Sequence, residues 1–284
     1  MNSVDIIIVN YNSTDYLIKC LESIYDSLGD ISANIFVQDN DSDDDVTRIS
    51  ELFPDVLITG NTYNMGFAAA VNQALKQSFS PYVVLLNPDT YVEKVFFECV
   101  LHYMEKNPDV GIVGPKILNR DGSVQGSARS FPTPLTAFFG RNSFLTRWFP
   151  DNRITRQNIL TTRSDGITPI AVDWVSGACM VVRRKAIKDA GFMDERFFMY
   201  WEDADWCKRI SLSGWKVVCF PQTSIVHYVG GSSDKLIIRS VFEFHKSCYR
   251  LFDKYAKFPL SIVSPLILGV IALRFFFVLF FRSL

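Results

Sequence analysis

The sequence predicts an α/β domain with a mostly parallel central sheet, followed by a C-terminal hydrophobic helical segment. Short apolar runs alternate with stretches of helical periodicity, a pattern typical of strands and helices that build a parallel sheet. The end of the chain changes character, since residues 259–281 are almost wholly apolar. A chain of 284 residues is long enough to bury a sizeable core.

The elements can be assigned in order along the chain. A first strand is predicted at residues 4–9, VDIIIV, and a helix from Thr14 to Leu28, because Leu17 and Leu21 recur on one face. Residues 127–170 are rich in Arg, Phe, Thr and Pro and are predicted to form a long loop or insertion. Further runs predict strands: NIFVQDN, DVLITG, YVVLLN, VGIVGPKIL and WKVVCF.

Composition excludes several classes of protein. The net charge is −1, with 29 basic and 30 acidic residues, so a nucleic-acid-binding protein with a basic excess is not indicated. The six cysteines are scattered without a C-x-x-C pair, which argues against a compact zinc site and a disulfide framework and favours a reducing compartment. The N-terminus, MNSVDIIIVNYNS, does not have the pattern of a secretory signal.

The apolar stretch at residues 259–281 predicts a membrane-associating helix, either inserted or interfacial. Arg274 and Pro265 interrupt it, and both weaken the spanning interpretation. The alternative is a hydrophobic helix buried in a homodimer. The basic residues that precede the stretch would suit an anionic leaflet: Lys246, Arg250, Lys254 and Lys257.

Polar side chains follow several predicted strands at the point where each strand ends. Asn10, Asp39 and Asp89 occupy such positions, and His227 follows the last strand in the same manner. Ligands of open α/β sheets bind outside the carboxyl ends of the strands. The sequence therefore predicts a binding site at this edge of the sheet.

The loops after the first two strands carry candidate ligand contacts. Tyr11 could lie against a flat base, although the same stretch also suits an ordinary turn with Ser13 or Thr14 as N-cap. Asp39 could accept hydrogen bonds from a base or a ribose. The neighbouring acidic cluster is interpreted as a solvated loop: Asp41, Asp43, Asp44 and Asp45.

The stretch NTYNMGFAAAVNQAL places Gly66 at a predicted helix start, with Asn64 and Asn72 on either side. The N-terminus of a helix can approach a phosphate or a base. A glycine and two asparagines make this a candidate nucleotide contact that depends on its neighbours for support.

Asn87, Pro88 and Asp89 follow the apolar run VVLL and admit two interpretations. Pro88 ends the strand, so the tripeptide is a turn. Asp89 could also hold a divalent cation, since Mg²⁺ commonly uses one or two protein carboxylates together with substrate phosphates. His227, in IVHYVGGSS, could ligate the same metal or contact a phosphate, although a lone histidine is more often structural.

A second informative block covers residues 173–233. Trp174, Ser176 and Gly177 lie in WVSGAC, a small-residue turn that suits the close approach of a ligand.

Trp201, Glu202 and Asp203 begin a predicted helix within a run of aromatic residues. Carboxylates in a first helical turn are stabilised by the helix dipole, which is the structural interpretation. A carboxylate walled by aromatic rings can instead serve as a general base for a sugar hydroxyl. The residues alone leave both interpretations open.

Taken together and in this order, the motifs of residues 4–233 resemble glycosyltransferase family 2, inverting enzymes of the GT-A fold. The most similar subgroup contains bacterial rhamnosyltransferases and galactofuranosyltransferases. The resemblance implies a nucleotide-diphosphate sugar donor, Mg²⁺ or Mn²⁺, and direct displacement at the anomeric carbon. Residues 1–233 would form the catalytic domain and residues 234–284 a C-terminal helical, membrane-associating segment.

The resemblance also implies roles for individual residues. Asn87 stands in place of the first Asp of the family's D-x-D motif, which leaves Asp89 as the chief metal ligand beside His227, and Asp203 matches the presumed base. The nucleotide would contact Asn10, Tyr11, Asp39, Asn64, Gly66, Asn72 and Asn87. The acceptor and the donor sugar would contact Trp174, Ser176, Gly177, Trp201 and Glu202.

The resemblance predicts transfer of one sugar, L-rhamnose from dTDP-L-rhamnose, to a lipid-linked glycan at the inner face of a bacterial cytoplasmic membrane. A galactofuranosyl or other hexosyl transferase is the alternative within the family. A nucleotidyltransferase would carry a glycine-rich basic loop near the first strand, which VNYNSTDYL lacks. A processive synthase would carry a Q-x-x-R-W motif after the base, and the sequence has none there. A catalytically degenerate membrane-anchored scaffold is the non-enzymatic alternative.

Overall fold

The computed structural model of the protein describes residues 3–132, 160–228, 237–256 and 264–282. Within them, a nine-stranded sheet has the order β3-β2-β1-β4-β10-β6-β11-β5, with β8 paired to β11, and β7 pairs separately with β9. The strands are β1 Ser3–Asn10, β2 Ser32–Asp39, β3 Leu57–Gly60, β4 Tyr82–Leu86, β5 Thr90–Val92, β6 Val110–Leu118, β7 Ala128–Arg129, β8 Ile170–Ala171, β9 Trp174–Val175, β10 Cys179–Arg183 and β11 Lys216–His227.

The helices alternate with these strands, as predicted for an α/β domain. The first helix begins and ends at the predicted residues. A 3₁₀ helix, Leu160–Arg163, lies within the predicted insertion of residues 127–170, of which residues 133–159 lie outside the described part of the chain. The helices are α1 Thr14–Leu28, α2 Thr47–Leu52, α3 Phe67–Gln77, α4 Phe96–Lys106, α5 Arg184–Ala190, α6 Glu202–Leu212, α7 Ile237–Tyr255 and α8 Ser264–Arg282.

The sheet is parallel on one side and mixed on the other. Strands β3, β2, β1 and β4 run parallel, and β11 runs parallel to β6. Strand β10 lies between β4 and β6 and is antiparallel to both. The predicted parallel arrangement is thus confirmed for the N-terminal strands, whose carboxyl ends meet at one edge.

Both faces of the sheet are buried, which explains why the strands are almost continuously apolar. Ile6 and Ile8 point to a core formed with α1 and α4. Ile7 and Val9 point to a second core formed with α3, α5 and α6. Successive side chains of a strand alternate between faces, so one apolar run supplies both cores.

The C-terminal helices pack against the sheet domain and against each other. Ser247 in α7 donates a hydrogen bond to the Met199 carbonyl at 2.9 Å, and the rings of Phe242 in α7 and Phe275 in α8 lie 6.1 Å apart. Among the described residues, no helix combines the length and the apolar character needed to cross a bilayer.

Candidate active site

The carboxyl ends of β1 and β2 form a self-contained hydrogen-bonded rim. Asn10 and Asp39 are paired in the sheet, and Asn10 Nδ2 donates to Asp39 Oδ1 at 2.9 Å. Ser42 Oγ donates to the same carboxylate oxygen at 2.6 Å, and the Ser42 N–H lies 3.2 Å from Oδ2. These bonds fix the Asp39 carboxylate in one orientation at the sheet edge.

The loop after β1 is fixed by residues of the loop after β2. Asn12 adopts a left-handed conformation with φ 53°, and its N–H donates to Ser42 Oγ at 2.9 Å. Tyr11, which precedes it, is half-buried. The backbone N–H of Thr14 donates to Asp44 at 2.8 Å, whereas Ser13 makes no side-chain cap. Ser13 is the N-cap residue by position, as the turn interpretation predicted, although the capping hydrogen bond comes from Asp44. The interpretation of Asp44 as merely solvated was therefore wrong.

A buried amide that the sequence analysis missed, Asn40, organises the next loop. Its Nδ2 donates to Asn64 Oδ1 at 3.0 Å, and its Oδ1 accepts from Asn61 Nδ2 and the Met65 N–H, each at 3.1 Å. Asn64 Oδ1 also accepts from the Gly66 N–H at 3.0 Å. The signal was available, because Asn40 directly follows the carboxyl end of β2.

Gly66 is required for two physical reasons. Its φ of 89° lies in the region that favours glycine, and a Cβ there would lie 2.5 Å from the Phe198 carbonyl oxygen. The next residue, Phe67, donates its N–H to the same oxygen at 2.7 Å. The start of α3 is thus held against the segment that precedes Asp203.

Asn72 clamps the same segment from the middle of α3. Its Nδ2 donates to the Met193 carbonyl and to Glu195 Oε1, both at 2.9 Å, and its Oδ1 accepts from the Met193 N–H at 3.0 Å. The amide is buried and engaged on both sides. A nucleotide contact for Asn72 stays a prediction, and the structure gives this side chain a supporting role.

Asp89 and His227 meet at the end of the sheet because β5 and β11 are paired with Thr90 opposite His227. The Asp89 carboxylate is buried, and its Oδ1 lies 3.2 Å from His227 Nε2. Asn87 Nδ2 lies 3.4 Å from the same ring nitrogen. The Asn87 carbonyl accepts from Thr90 Oγ1 at 2.7 Å, so the tripeptide is also the predicted turn.

The chemistry of this pair fits a divalent cation. A carboxylate oxygen and an imidazole nitrogen face each other at 3.2 Å in a buried position, and both can act as ligands. No third His, Cys, Asp or Glu joins them to form a metal-binding group in the described residues. A cation here would take its remaining ligands from phosphate oxygens and water, as Mg²⁺ commonly does.

The turn at residues 176–178 connects this pair to Asp203. The Asn87 N–H donates to the Ala178 carbonyl at 3.0 Å, and the Gly177 N–H donates to Asp203 Oδ2 at 2.9 Å. Ser176 Oγ accepts from the Ala178 N–H at 3.3 Å and shapes the turn. Three of the sequence-predicted positions, Asn87, Gly177 and Asp203, are therefore linked through one short turn.

The pKa values of the two carboxyl groups that begin α6, Glu202 and Asp203, are both raised. Burial raises the pKa of Asp203, while the Gly177 N–H and the positive charge of Arg129 oppose the rise. Burial and the charge of Asp203 raise the pKa of Glu202 well above its usual range. Glu202 Oε2 is buried without a hydrogen-bond partner among the described residues.

The aromatic wall around these carboxylates is built from a strained backbone. Tyr200 and Trp201 both have φ 68°, a left-handed conformation that bulky residues rarely adopt. The Trp201 ring lies 5.9 Å from Trp174 and 5.5 Å from Phe244 of α7. Trp201 Nε1 is buried with no partner in the part of the chain that the structure describes. Strain and an unpaired buried donor are typical of functional sites.

Arg129 completes this wall and was also missed by the sequence analysis. Its guanidinium lies 5.3 Å from the Trp174 ring centre, and its Nε donates to the Gly126 carbonyl at 2.8 Å. The Trp174 Nε1–H donates to the Ser130 carbonyl at 2.9 Å. The pairing of β7 with β9 brings Arg129 opposite Trp174 in register.

Helix α7 binds the segment that leads to Asp203, the candidate base. Arg250 donates to the Arg196 carbonyl, and Lys254 contacts Asp194 at 2.7 Å and the fully buried Asp205 at 2.6 Å. The prediction that Lys254 faces an anionic leaflet was wrong, because two protein carboxylates bind it. For Arg250, which bonds only a backbone carbonyl here, it stays a prediction. Lys257 lies outside the described residues.

Comparison with known proteins places these features in a family. Residues 5–191 match the model of the family described as Glycosyl transferase family 2. N-acetylglucosaminyl-diphospho-decaprenol L-rhamnosyltransferase of Mycobacterium tuberculosis is 28% identical over 95% of this chain and 90% of its own. Rhamnosyltransferase WbbL of Escherichia coli is 28% identical over 87% of this chain and 91% of its own.

A solved structure shares the fold. It is the mannosyltransferase PcManGT from Pyrobaculum calidifontis in complex with GDP-Man and Mn²⁺. The TM-score is 0.58 at 18% identity, over 95% of this chain and 72% of that one. The predicted GT-A-like α/β architecture is thus confirmed.

Proposed function

Because the chain belongs to glycosyl transferase family 2, we propose that it transfers a single hexose from a nucleotide-diphosphate donor to a hydroxyl of a lipid-linked glycan. One observation carries the proposal: the base candidate Asp203 is joined through the Gly177 turn to the Asn87–Asp89–His227 cluster. We propose L-rhamnose from dTDP-L-rhamnose, in cell-surface polysaccharide biosynthesis. The two relatives, both rhamnosyltransferases, support rhamnose as the transferred sugar.

The nucleoside would bind at the rim formed by β1 and β2. Asp39 is preorganised by Asn10 and Ser42, so it can accept a further hydrogen bond from a base or a ribose without reorienting. Tyr11 follows Asn10 in the same loop and would lie beside the base. The loop held by Asn40, which carries Asn64 and Gly66, would close the other side.

The diphosphate would lie at Asp89 and His227, which would hold Mg²⁺ or Mn²⁺. When bound, such a cation supplies positive charge opposite the leaving diphosphate. Asp89 contributes a buried carboxylate and His227 a ring nitrogen. Asn87, in place of a second carboxylate, leaves the cluster with one fixed negative charge.

Asp203 would remove the proton from the acceptor hydroxyl as that oxygen attacks the anomeric carbon. The bond to the diphosphate breaks on the opposite face, so one displacement inverts the anomeric configuration. A raised pKa makes the ionised Asp203 a stronger base but also lets it be protonated at higher pH. The transfer rate should therefore fall, as pH drops, at a higher pH than for an ordinary aspartate, which a pH–rate profile measures.

The acceptor would enter along the aromatic wall. The half-buried Trp201 ring would stack against a sugar ring, with the buried Trp174 ring behind it at 5.9 Å between ring centres. The Trp201 Nε1–H and the carboxyl group of Glu202 would pair with the sugar hydroxyls. These two groups are unpaired among the described residues and gain the most from a polar ligand.

We place the acceptor at a membrane surface, bound through α8. Its described exposed side chains include Leu268, Leu273 and Phe276, which form apolar surface without acidic residues. The proposed site is the inner face of a bacterial cytoplasmic membrane. Sedimentation with vesicles of anionic phospholipid tests this proposal, and Leu273→Glu should release the protein. A dimer that dissociates in Leu273→Glu and ignores vesicles would instead assign this surface to a second copy.

The function itself is tested with a panel of nucleotide sugars and purified protein. The expected result is donor hydrolysis that is fastest with dTDP-L-rhamnose. When an acceptor is added, the anomeric proton signal of the product should show an inverted anomeric configuration. If another nucleotide hexose were hydrolysed faster, that hexose would replace rhamnose as the proposed donor sugar. No hydrolysis of any donor with Mg²⁺ or Mn²⁺ present would favour the scaffold alternative.

A further inference from the structure

Gln125 is a buried side chain that touches both ends of His227. Its Nε2 lies 3.2 Å from the His227 carbonyl oxygen, and its Oε1 lies 3.3 Å from His227 Nδ1. The Gln125 backbone is itself fixed, because its N–H donates to the Ile117 carbonyl at 2.8 Å. This residue played no part in the sequence-based site.

The hydrogen bonds determine which way the Gln125 amide points. A carbonyl oxygen can only accept, so the amide atom beside the His227 carbonyl must be the NH₂ group. The amide oxygen is then the atom that faces His227 Nδ1. The reverse orientation would place two oxygens 3.2 Å apart without a hydrogen between them.

The amide orientation in turn determines the tautomer of His227. An oxygen facing Nδ1 requires the hydrogen of the neutral ring to be on Nδ1. Nε2 then carries a lone pair, directed toward Asp89 Oδ1 at 3.2 Å and Asn87 Nδ2 at 3.4 Å. The Asn87 amide can donate to that lone pair, whereas Asp89 cannot. The Nε2 and Oδ1 atoms therefore face each other at 3.2 Å as two acceptors, a contact that a bound cation would relieve.

Without Gln125, the neighbouring carboxylate would favour the opposite arrangement. A hydrogen on His227 Nε2 would be donated to Asp89 Oδ1, and this bond would occupy both groups at once. Gln125 prevents this pairing because it binds the hydrogen on the far side of the ring. Partners of this kind commonly fix the tautomer of a metal-binding histidine.

We propose that Gln125 is a positioning residue that holds His227 with its Nε2 lone pair toward Asp89, ready for a cation and the donor diphosphate. The inference rests on the proposed function for the use of that lone pair. The tautomer itself can be measured without any sugar transfer, so the two can fail separately.

The experiment uses ¹⁵N-labelled full-length protein at about pH 8.5, where imidazole rings are neutral. Long-range ¹H–¹⁵N spectra distinguish the tautomers, and the chain has three histidines, which single substitutions assign. His245 is an internal control, because its Nδ1 lies 2.7 Å from the Val241 carbonyl and must also carry the hydrogen. Its signals should be the same in every variant and report that the fold is intact.

Two variants of similar side-chain length test the hydrogen-bond acceptor that faces His227 Nδ1. Gln125→Met is of similar length but offers Nδ1–H only a weak thioether acceptor, so His227 should change to the Nε2–H tautomer, which donates to Asp89. Gln125→Glu keeps an acceptor and should keep the wild-type tautomer. Mn²⁺ affinity, titrated calorimetrically with dTDP present, should fall roughly 10- to 100-fold in Gln125→Met, the range for partners of metal ligands.

Several results would overturn the inference. The first is a wild-type His227 with its hydrogen on Nε2, and the second is a Gln125→Met protein that keeps both the tautomer and the Mn²⁺ affinity. A Gln125→Glu protein that behaves like Gln125→Met would assign the effect to the lost hydrogen bond from Gln125 Nε2 to the His227 carbonyl, and not to the acceptor at Nδ1. If wild-type tautomer and variants behave as expected but no donor is hydrolysed, the proposed function falls and the positioning role of Gln125 stands.

Discussion

The N-terminal rim, residues 10–14 and 39–44, and the base loop, residues 193–203, both belong to the candidate site but are stabilised differently. In the rim, side chains of adjacent strand ends bond one another, as Asn10 and Asp39 do. The base loop is held from outside by α3 and α7, and it contains two residues in a left-handed conformation. The proposed nucleotide-binding rim is therefore self-supporting, whereas the geometry around Asp203, the proposed base, is imposed by distant parts of the chain.

The largest effect is expected at Asp203 in the base loop, the proposed catalytic base. Asp203→Asn removes the base and should lower the transfer rate by about 10²- to 10⁴-fold, measured as product formed per unit time. Donor affinity should be unchanged, because the rim is intact. Asp15→Asn, at an exposed ion pair with Arg48, is the control. A variant that transfers sugar at the wild-type rate would show that the base lies elsewhere.

Gly66→Ala tests the contact between the start of α3 and Phe198 of the base loop. The added Cβ would lie 2.5 Å from the Phe198 carbonyl oxygen, and the φ of 89° at Gly66 disfavours any side chain. The free energy of unfolding should therefore fall by about 1–3 kcal/mol. Chemical denaturation measures this change. Gly60→Ala is the matched control, because no atom lies within 4 Å of its Cβ. Equal stability of the two variants would contradict the close approach.

Asp39→Asn breaks the rim without touching the base loop. Asp39 Oδ1 accepts from both Asn10 and Ser42, and an amide can replace only part of this acceptor capacity. The donor KM should rise by about tenfold or more, as for a lost hydrogen bond to a charged group, with a smaller change in kcat. Steady-state kinetics separate the two constants. A fall in kcat with an unchanged KM would place Asp39 outside the nucleotide site.

The smallest effect is expected from Tyr255→Phe, which loosens α6, the helix that follows the base loop, from α7. The Tyr255 hydroxyl donates to Asp205 at 2.8 Å, and Lys254 and Arg209 still neutralise that carboxylate in the variant. The loss should be about 0.5–1.5 kcal/mol of stability, with a reduced kcat and an unchanged donor KM. Tyr25→Phe, whose ring is 40% exposed, is the control. A changed donor KM alone would contradict the separation of the two regions.

The fold and the positions of polar strand ends could be predicted because both depend on local sequence. The apolar run VDIIIV and the spacing of Leu17 and Leu21 suffice to place β1 and α1. Asn10 and Asp39 are recognisable for the same reason, since parallel strands bring their carboxyl ends to one edge.

The supports of the site could not be predicted because they join residues far apart in sequence. Gln125 meets His227 across 102 positions, and Asn72 meets Glu195 across 123. Lys254 illustrates a different difficulty. A basic residue on an amphipathic helix has the same pattern whether it faces a lipid headgroup or a buried carboxylate, and here it faces Asp205.

The approach of Gly66 to Phe198 has a consequence for recombination between enzymes of this family. The start of α3 and the base loop share a main-chain hydrogen bond, and Asn72 adds a second connection to Met193. A chimaera that took its nucleotide segment from one parent and its base segment from another would have to match both surfaces. Residues 64–72 and 193–198 should therefore be inherited as one unit, although more than a hundred residues separate them.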